Sequence, residues 1–327
     1  MGQHIIALIF GVGSWLDLLM PNRPPSTELA PKPTPKRAPK CRLAASCAVP
    51  DREAQPFLKW AGGKSQLLEQ FEPFFPASIS SYSEPFLGGG AVFFHLKARF
   101  PKMRAALRDN NAELINCYQV VRDHVRALML RLDEHLEQFR AQGKPYYYEV
   151  RQHKPSGSVE RAGRMIFLNK TCYNGLWRVN GKGQFNVPIG SYRPEKVALY
   201  DSANLLAASW ALEEVDLDVQ DFRKTLAAPK EADFVYIDPP YYPLSRTANF
   251  TSYTQEDFGQ AEQEELADLF AAAARRGAKL MLSNSDTSIT RHLYARFDLQ
   301  TVQARRAVNC DGAKRGRISE LVVRNYG

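Results

Sequence analysis

The chain has 327 residues, 44% of them hydrophobic and 24% charged, with a formal net charge of +8 and a pI near 9.2. That length and composition suit one large globular domain or two modest ones with a full core, and the positive balance points to a polyanionic partner, nucleic acid or membrane surface. The five cysteines are scattered without a CxxC pair and the six histidines form no HExxH cluster, which argues against a disulfide framework, a catalytic metal and an oxidising compartment.

Residues 5–20, "IIALIFGVGSWLDLLM", resemble the core of an export signal. They lack a basic leading segment, and Asp17 interrupts a run already too short to span a bilayer. The next twenty residues are rich in Pro and Lys/Arg and cannot build a core. Residues 1–55 are therefore expected to form a disordered N-terminal extension of a cytoplasmic protein.

From Pro56 the pattern becomes globular. Residues 82–100, "YSEPFLGGGAVFFHLKARF", read as a strand end, a Gly-rich turn and a helix start. Residues 103–124 read as a short strand, an acidic turn and an amphipathic helix. Strand, loop, helix, strand is the rhythm of a parallel α/β sheet.

Residues 127–222 change character, from helical at the start to polar, basic and aromatic. Between Gly143 and Lys196 ten Lys/Arg face three Glu, so this window carries +7 of the chain's +8. Within it, "YNGLWRVNGKGQFNVPIG" (173–190) has Gly-Lys-Gly between apolar runs, the pattern of a β-hairpin tip. The α/β rhythm then returns with an apolar run ending in "DPPYY", a helix from about 256 to 276, and strands at 278–285 and near the C-terminus.

Two phosphate-binding patterns are excluded. "AGGKS" (61–65) has Leu58 where a P-loop needs its first glycine, and "GGGAVF" has Phe93 where a dinucleotide fingerprint needs its third. The glycines still let backbone approach a ligand at a helix N-terminus. Asp109, after the next strand, is either a ribose acceptor or a helix N-cap. With Asp238 they fall on the carboxyl edge of one sheet, where α/β proteins bind ligands.

Five segments in order, "FLKWAGGKSQLL", "EPFLGGGAVFF", "DNNAELIN", "NGLWRVNGKGQFNVPIG" and "DPPY", resemble the Dam-type N6-adenine DNA methyltransferases from about Phe57 to the C-terminus. The resemblance implies an α/β, Rossmann-like core that binds S-adenosylmethionine (AdoMet), with an inserted helical and β-hairpin target-recognition domain. Residues 56–126 and 223–327 would form the core and 127–222 the insertion. It implies a cofactor site of Trp60, Lys64, Glu84, Gly88, Gly89, Gly90, Asp109 and Asp238. Trp60 would offer an aromatic face, Lys64 a charge for the methionine carboxylate, and Asp109 a ribose acceptor. Catalysis would fall to Asp238, Pro239, Pro240 and Tyr241.

Toward DNA, the resemblance implies Lys59, Tyr173, Asn174, Leu176, Arg178, Pro188 and Tyr192, at the spacing of members that read GATC. Arg305, Arg306, Lys314, Arg315 and Arg317 would be phosphate contacts. The expected enzyme is a metal-independent monomer acting on double-stranded DNA, nucleoid-associated rather than membrane-bound, with a cognate restriction endonuclease as a further partner. An RNA adenine-N6 methyltransferase and a catalytically silent DNA-binding module are the alternatives. No cysteine directly follows a proline, which excludes the Pro-Cys nucleophile of cytosine C5 methylation.

Overall fold

The computed structural model describes residues 52–241, 258–305 and 317–327. In chain order the elements are α1 (Leu68–Phe71), β1 (Ser81–Glu84), α2 (Ala91–Arg99), β2 (Arg104–Asp109), α3 (Ala112–Gln142), α4 (Lys144–Gln152) and α5 (Ser158–Thr171). They continue with α6 (Ser202–Ala211), β3 (Asp216–Val219), α7 (Phe222–Ala227), β4 (Phe234–Ile237), α8 (Gln260–Arg275), β5 (Lys279–Ser285), α9 (Ser288–Leu293), β6 (Asp298–Arg305) and β7 (Arg317–Arg324).

The strands form one mixed sheet in the order β3-β2-β1-β4-β5-β7-β6. Neighbours from β3 to β5 are parallel, and β7 runs antiparallel to both β5 and β6. All four side chains of β4 are buried, because a parallel strand covered on both faces must be apolar throughout. One core cluster packs Tyr82, Phe234 and Tyr236 with α2, α3 and α5; another packs Val235 and Ile237 with Leu266 and Phe270 of α8. The α/β, Rossmann-like expectation therefore holds.

The chain leaves β1 toward β2 and β3, then returns to the other side of β1 for β4. Strand order reverses between β1 and β4, and ligands of such sheets bind in the crevice this opens at the carboxyl edge. Glu84 ends β1, Asp109 ends β2 and Asp238 follows β4, so the topology brings three carboxylates to one edge.

Two boundaries differ from the sequence reading. The helix after Asp109 does not stop near 124 but continues to Gln142 with a kink at His124, so the core and the middle stretch share one helix. Helix α5 packs along it, with Phe167 against His135 and Phe139 at ring separations of 5.1 and 5.4 Å. Strand β3 falls within residues 127–222 and joins the sheet.

The expected extension, 1–55, is too long. Residues 1–51 lie outside the described residues, but Ala54 is buried, and Asn204 of α6 bonds Gln55 through both its backbone N–H (2.8 Å) and its carbonyl (3.0 Å). A backbone satisfied in both directions is part of the fold.

The hairpin forms between α5 and α6. Bridges pair Cys172 with Ile189 and Val179 with Phe185, and Gly183 takes φ +68° at the tip. There the Asn180 side-chain oxygen accepts from the backbone N–H of Lys182 and of Gln184, each at 3.0 Å.

Candidate active site and DNA-reading surface

A cavity of about 1210 Å³ opens at the carboxyl edge, walled by Lys59, Trp60, Lys64, Glu84, Gly88 to Gly90, Asp109 and the whole Asp238–Tyr241 turn. The structure thus brings every expected cofactor and catalytic residue into the lining of one cavity. Of the expected DNA contacts only Lys59 lines it; Tyr173, Asn174, Leu176, Arg178, Pro188 and Tyr192 belong to the adjoining hairpin segment.

The glycine turn is shaped by what surrounds it. Gly88 and Gly90 take φ +49° and +66°, a region that side chains disfavour. A Cβ on Gly88 would lie 2.9 Å from the Trp60 ring, and one on Gly90 would lie 2.8 Å from the Tyr118 hydroxyl. The Tyr118 hydroxyl donates to the Gly88 carbonyl at 3.2 Å, while the Gly88 N–H donates to Asp109 Oδ2 at 3.2 Å. Asp109 is not the cap of α3. That role belongs to Asn111, whose side chain accepts from Glu113 and Leu114 N–H. Withdrawal from water pushes the Asp109 carboxyl up to about 6, against backbone N–H bonds that favour the anion.

Asp238 sits between two donors. Lys64 Nζ is 2.7 Å from Oδ2, and Ser283 Oγ of β5 donates to Oδ1 at 3.1 Å. The Lys64 side chain is only 4% exposed and also donates to the Gly62 carbonyl. In this arrangement the Lys64 charge faces Asp238, because a buried carboxylate needs a counter-charge. Burial still holds the Asp238 carboxyl above its usual range, with Lys64 the strongest opposing influence.

Tyr241 donates to Glu320 Oε2 of β7 at 2.6 Å, and Lys64 Nζ lies 4.8 Å from its ring centre. The Pro240 carbonyl accepts from Gln263 Nε2 of α8 at 2.8 Å, and Gln263 accepts in turn from Asn284 Nδ2 at 3.0 Å. Glu84 is buried and takes a hydrogen bond from the Tyr82 hydroxyl at 2.9 Å; burial raises its carboxyl well above the usual range.

On the hairpin, Tyr173, Asn174, Arg178 and Pro188 are exposed and Leu176 is half-buried. Arg178 Nε donates to Asn186 Oδ1 at 2.7 Å, which fixes the guanidinium plane. Tyr192 stands near Lys59, hydroxyl to Nζ 3.5 Å. Of the expected phosphate contacts, Arg306, Lys314 and Arg315 lie outside the described residues, while Arg305 ends β6 and Arg317 begins β7.

Sequence reasoning missed Ser283, Gln263, Glu320 and Asn169. The available signal was polar residues inside apolar strands: "LMLSNS" turns polar at its carboxyl end, and Glu320 is the lone acid of "ISELVV". Among the described residues no cluster of His, Cys, Asp or Glu could hold a metal ion, and no helix is long and apolar enough to cross a membrane.

A doubly wound sheet with a glycine turn after β1, a carboxylate after β2 and Asp-Pro-Pro-Tyr after β4 has the architecture of a Rossmann-like methyltransferase, its ligand crevice at the carboxyl edge. Residues 60–308 match the D12 class of N6 adenine-specific DNA methyltransferases, and the chain belongs to that family. The Type II methyltransferase M.MjaIII of Methanocaldococcus jannaschii is 43% identical, covering 84% of this chain and 100% of that protein. A Type II methyltransferase of Lactococcus lactis subsp. cremoris is 38% identical, covering 84% and 96%. The DNA adenine methylase of Escherichia coli is 34% identical, covering 82% and 94%. The chain is an adenine-specific DNA methyltransferase.

Proposed function

We propose that the protein methylates the adenine of GATC in double-stranded DNA, with AdoMet as donor and as a monomer that treats each strand in a separate encounter. Asp238, held between Lys64 and Ser283 beside Tyr241 in a cavity shared with the glycine turn, is the observation that carries the chemistry.

The residues fit the donor. The glycine turn packs its bare backbone against Trp60 and Tyr118, where a Cβ on Gly88 or Gly90 would strike them, and the cavity of about 1210 Å³ has space for both the donor and an extruded base. Trp60, Lys64, Glu84, Gly88, Gly89, Gly90, Asp109 and Asp238 would hold it, with Lys64 shared between Asp238 and the methionine carboxylate and the Asp109 carboxylate accepting from ribose hydroxyls. When bound, AdoMet would supply an electrophilic methyl group, its methyl–sulfonium bond breaking so that sulfur leaves as a neutral thioether.

An exocyclic adenine amine is a weak nucleophile because its lone pair is delocalised into the ring. The Asp238 carboxylate and the Pro239 carbonyl accept its two hydrogens, which turns the nitrogen toward sp3 geometry and frees the lone pair. The two prolines and the Gln263 bond to Pro240 keep this end of the strand rigid, so the acceptors are preorganised. One N6 proton leaves as the new N–C bond forms, and Asp238, its carboxyl raised by burial, is placed to take it. Tyr241 stacks on the extruded adenine: roughly 1–3 kcal/mol from stacking offsets an extrusion cost of a few kcal/mol.

Lys59 and Arg178 would read guanines, Arg178 through a bidentate bond to O6 and N7. Tyr173 and Asn174 would sit beside the vacated base, while Leu176 and Pro188 would meet thymine methyls. Tyr192 steadies Lys59. The likeness to Type II methyltransferases supports a cognate restriction endonuclease as partner. Incubation with methyl-labelled AdoMet and either duplex DNA or RNA, followed by mapping of modified adenines, tests the reading. Label in duplex DNA at GATC is expected; adenines modified mainly at other sequences, or label in RNA alone, would overturn it.

A further inference from the structure

Lys59 and Trp60 are neighbours in sequence but face different tasks. The Trp60 ring covers Gly88 at the cofactor end of the cavity. Lys59 turns toward the recognition segment, and that segment grips it at three levels. Its backbone is held by Asn169, in the last turn of α5: Lys59 N–H donates to Asn169 Oδ1 at 2.8 Å, and Asn169 Nδ2 donates to the Lys59 carbonyl at 2.7 Å. Its aliphatic stem lies on Gly175, where a Cβ would come within 2.8 Å of Lys59 Cβ. Its ammonium reaches Tyr192.

Asn169 does more than hold Lys59. The same Nδ2 donates to the Gly175 carbonyl at 2.9 Å, at the start of the hairpin. The side chain is fully buried, 0% exposed, so no water replaces these bonds. An amide is the one side chain here that can accept from a backbone N–H and also donate to two carbonyls. Asp would lose the two donors, and Ser or Ala cannot span the three groups.

We propose that Asn169 is a specificity-positioning residue: its amide fastens Lys59 to the hairpin, so that Lys59 and Arg178 address the DNA in one fixed register. This rests on Lys59 being a base contact. Because the bonded carbonyl belongs to the peptide that leads into Trp60, the clamp also ties the register of the DNA-reading groups to the wall of the cofactor site. Asn169 touches neither substrate, and its effect on base choice passes through Lys59.

The test uses a pool of duplexes in which the bases around one adenine are randomised, with methylated products sequenced, so discrimination is read at each position whatever the target. The full chain is compared with Lys59→Ala, Asn169→Ser, Gly175→Ala and the double variant Lys59→Ala/Asn169→Ser, each first checked for a cooperative thermal transition. Lys59→Ala should lose roughly fivefold to 150-fold discrimination at one base pair. Asn169→Ser should lose discrimination at that same base pair, and in the Lys59→Ala background should cause no further loss there. Gly175→Ala attacks the clamp from its other side: it crowds the Lys59 stem and strains, at φ +66°, the peptide whose carbonyl the amide holds. It should show the same positional signature and serves if Asn169→Ser fails to fold. A uniform fall in rate across all sequences for both clamp variants, or a further loss in the double variant equal to that in the single one, would overturn the proposal while leaving Lys59 as a reader. Unchanged discrimination in Lys59→Ala would overturn both.

Discussion

Lys64 Nζ lies 2.7 Å from Asp238 Oδ2, joining the "KWAGGK" stretch to the end of β4 across a sequence separation of 174 residues. The ammonium is almost wholly enclosed, so each charge depends on the other. Asp238→Ala should lower methyl transfer by about a hundredfold or more, since an acceptor aimed at the reacting nitrogen is gone. Duplex affinity should stay within a few fold, because the proposed hairpin contacts are untouched. Single-turnover rates beside filter-binding measurements check this, and turnover within about tenfold of the parent would refute the assignment.

Lys64→Met separates charge from shape. Lys64 is the strongest influence holding the Asp238 carboxyl down against burial, so its removal lets that carboxyl rise further. If ionised Asp238 is the working form, the acidic limb of the rate profile must move to higher pH. Single-turnover rates followed from about pH 5 to 9 give the limb directly. An unmoved limb with a lower plateau would mean that Lys64 acts on something other than the Asp238 charge.

Asp109 gives a pH-dependent stability of known sign. Its carboxyl rises to about 6 in the fold, above the 3.8 of a free side chain. The fold therefore binds the proton more tightly than the unfolded chain, and the stabilisation is complete below about pH 4 and lost as pH rises through about 6. Near pH 7 the ionised, half-buried group costs the free protein about 1–3 kcal/mol. Asp109→Asn should thus raise the melting temperature at neutral pH by a few degrees, with a smaller gain near pH 4, and should abolish the upward shift that AdoMet produces in the parent. A variant that melts lower at pH 7, or still responds to AdoMet, would contradict this.

How much of this was legible in sequence depends on the kind of interaction. The alternation of apolar runs and helices placed β4, β5 and β7, because a buried strand must be apolar on both faces. The carboxyl-edge carboxylates followed from their positions directly after those strands. What could not be read was partnership at long range: nothing local to "KWAGGK" says that Lys64 meets Asp238, and nothing in "FLNKTCY" marks Asn169 as bonded to a residue 110 positions away. Strand β6 was missed because "DLQTVQAR" has little apolar content, and among its described side chains only Val302 and Ala304 are buried. The end of the extension was misplaced for a similar reason, since Gln55 is fixed through its backbone and not its side chain.

That correction makes its own prediction. A chain beginning at Arg52 keeps the burial of Ala54 and both Gln55–Asn204 bonds, whereas one beginning at Pro56 leaves the Asn204 amide without them. The shorter chain should be less stable by about 1–3 kcal/mol. Denaturant unfolding of the two compares them, and equal midpoints would show that residues 52–55 add nothing to the fold.

The hairpin should separate base reading from phosphate attraction. Arg178 is exposed, and its guanidinium is oriented by the 2.7 Å bond to Asn186 Oδ1, the arrangement needed for a bidentate approach to guanine O6 and N7. Lys182 stands exposed at the Gly181–Gly183 tip, where a point charge favours phosphate. Arg178→Ala should therefore cost about 1–3 kcal/mol at one base pair and relax choice there. Asn186→Ala should weaken discrimination at the same pair by freeing the guanidinium plane. Lys182→Ala should instead lower affinity for all sequences alike and reduce the slope of log K against log salt by about one unit. Methylated adenines mapped in cells expressing each variant, together with binding at several salt concentrations, distinguish the two roles. A uniform loss across sequences for Arg178→Ala would make that arginine a phosphate contact, and the proposed GATC specificity would lose one of its two guanine readers.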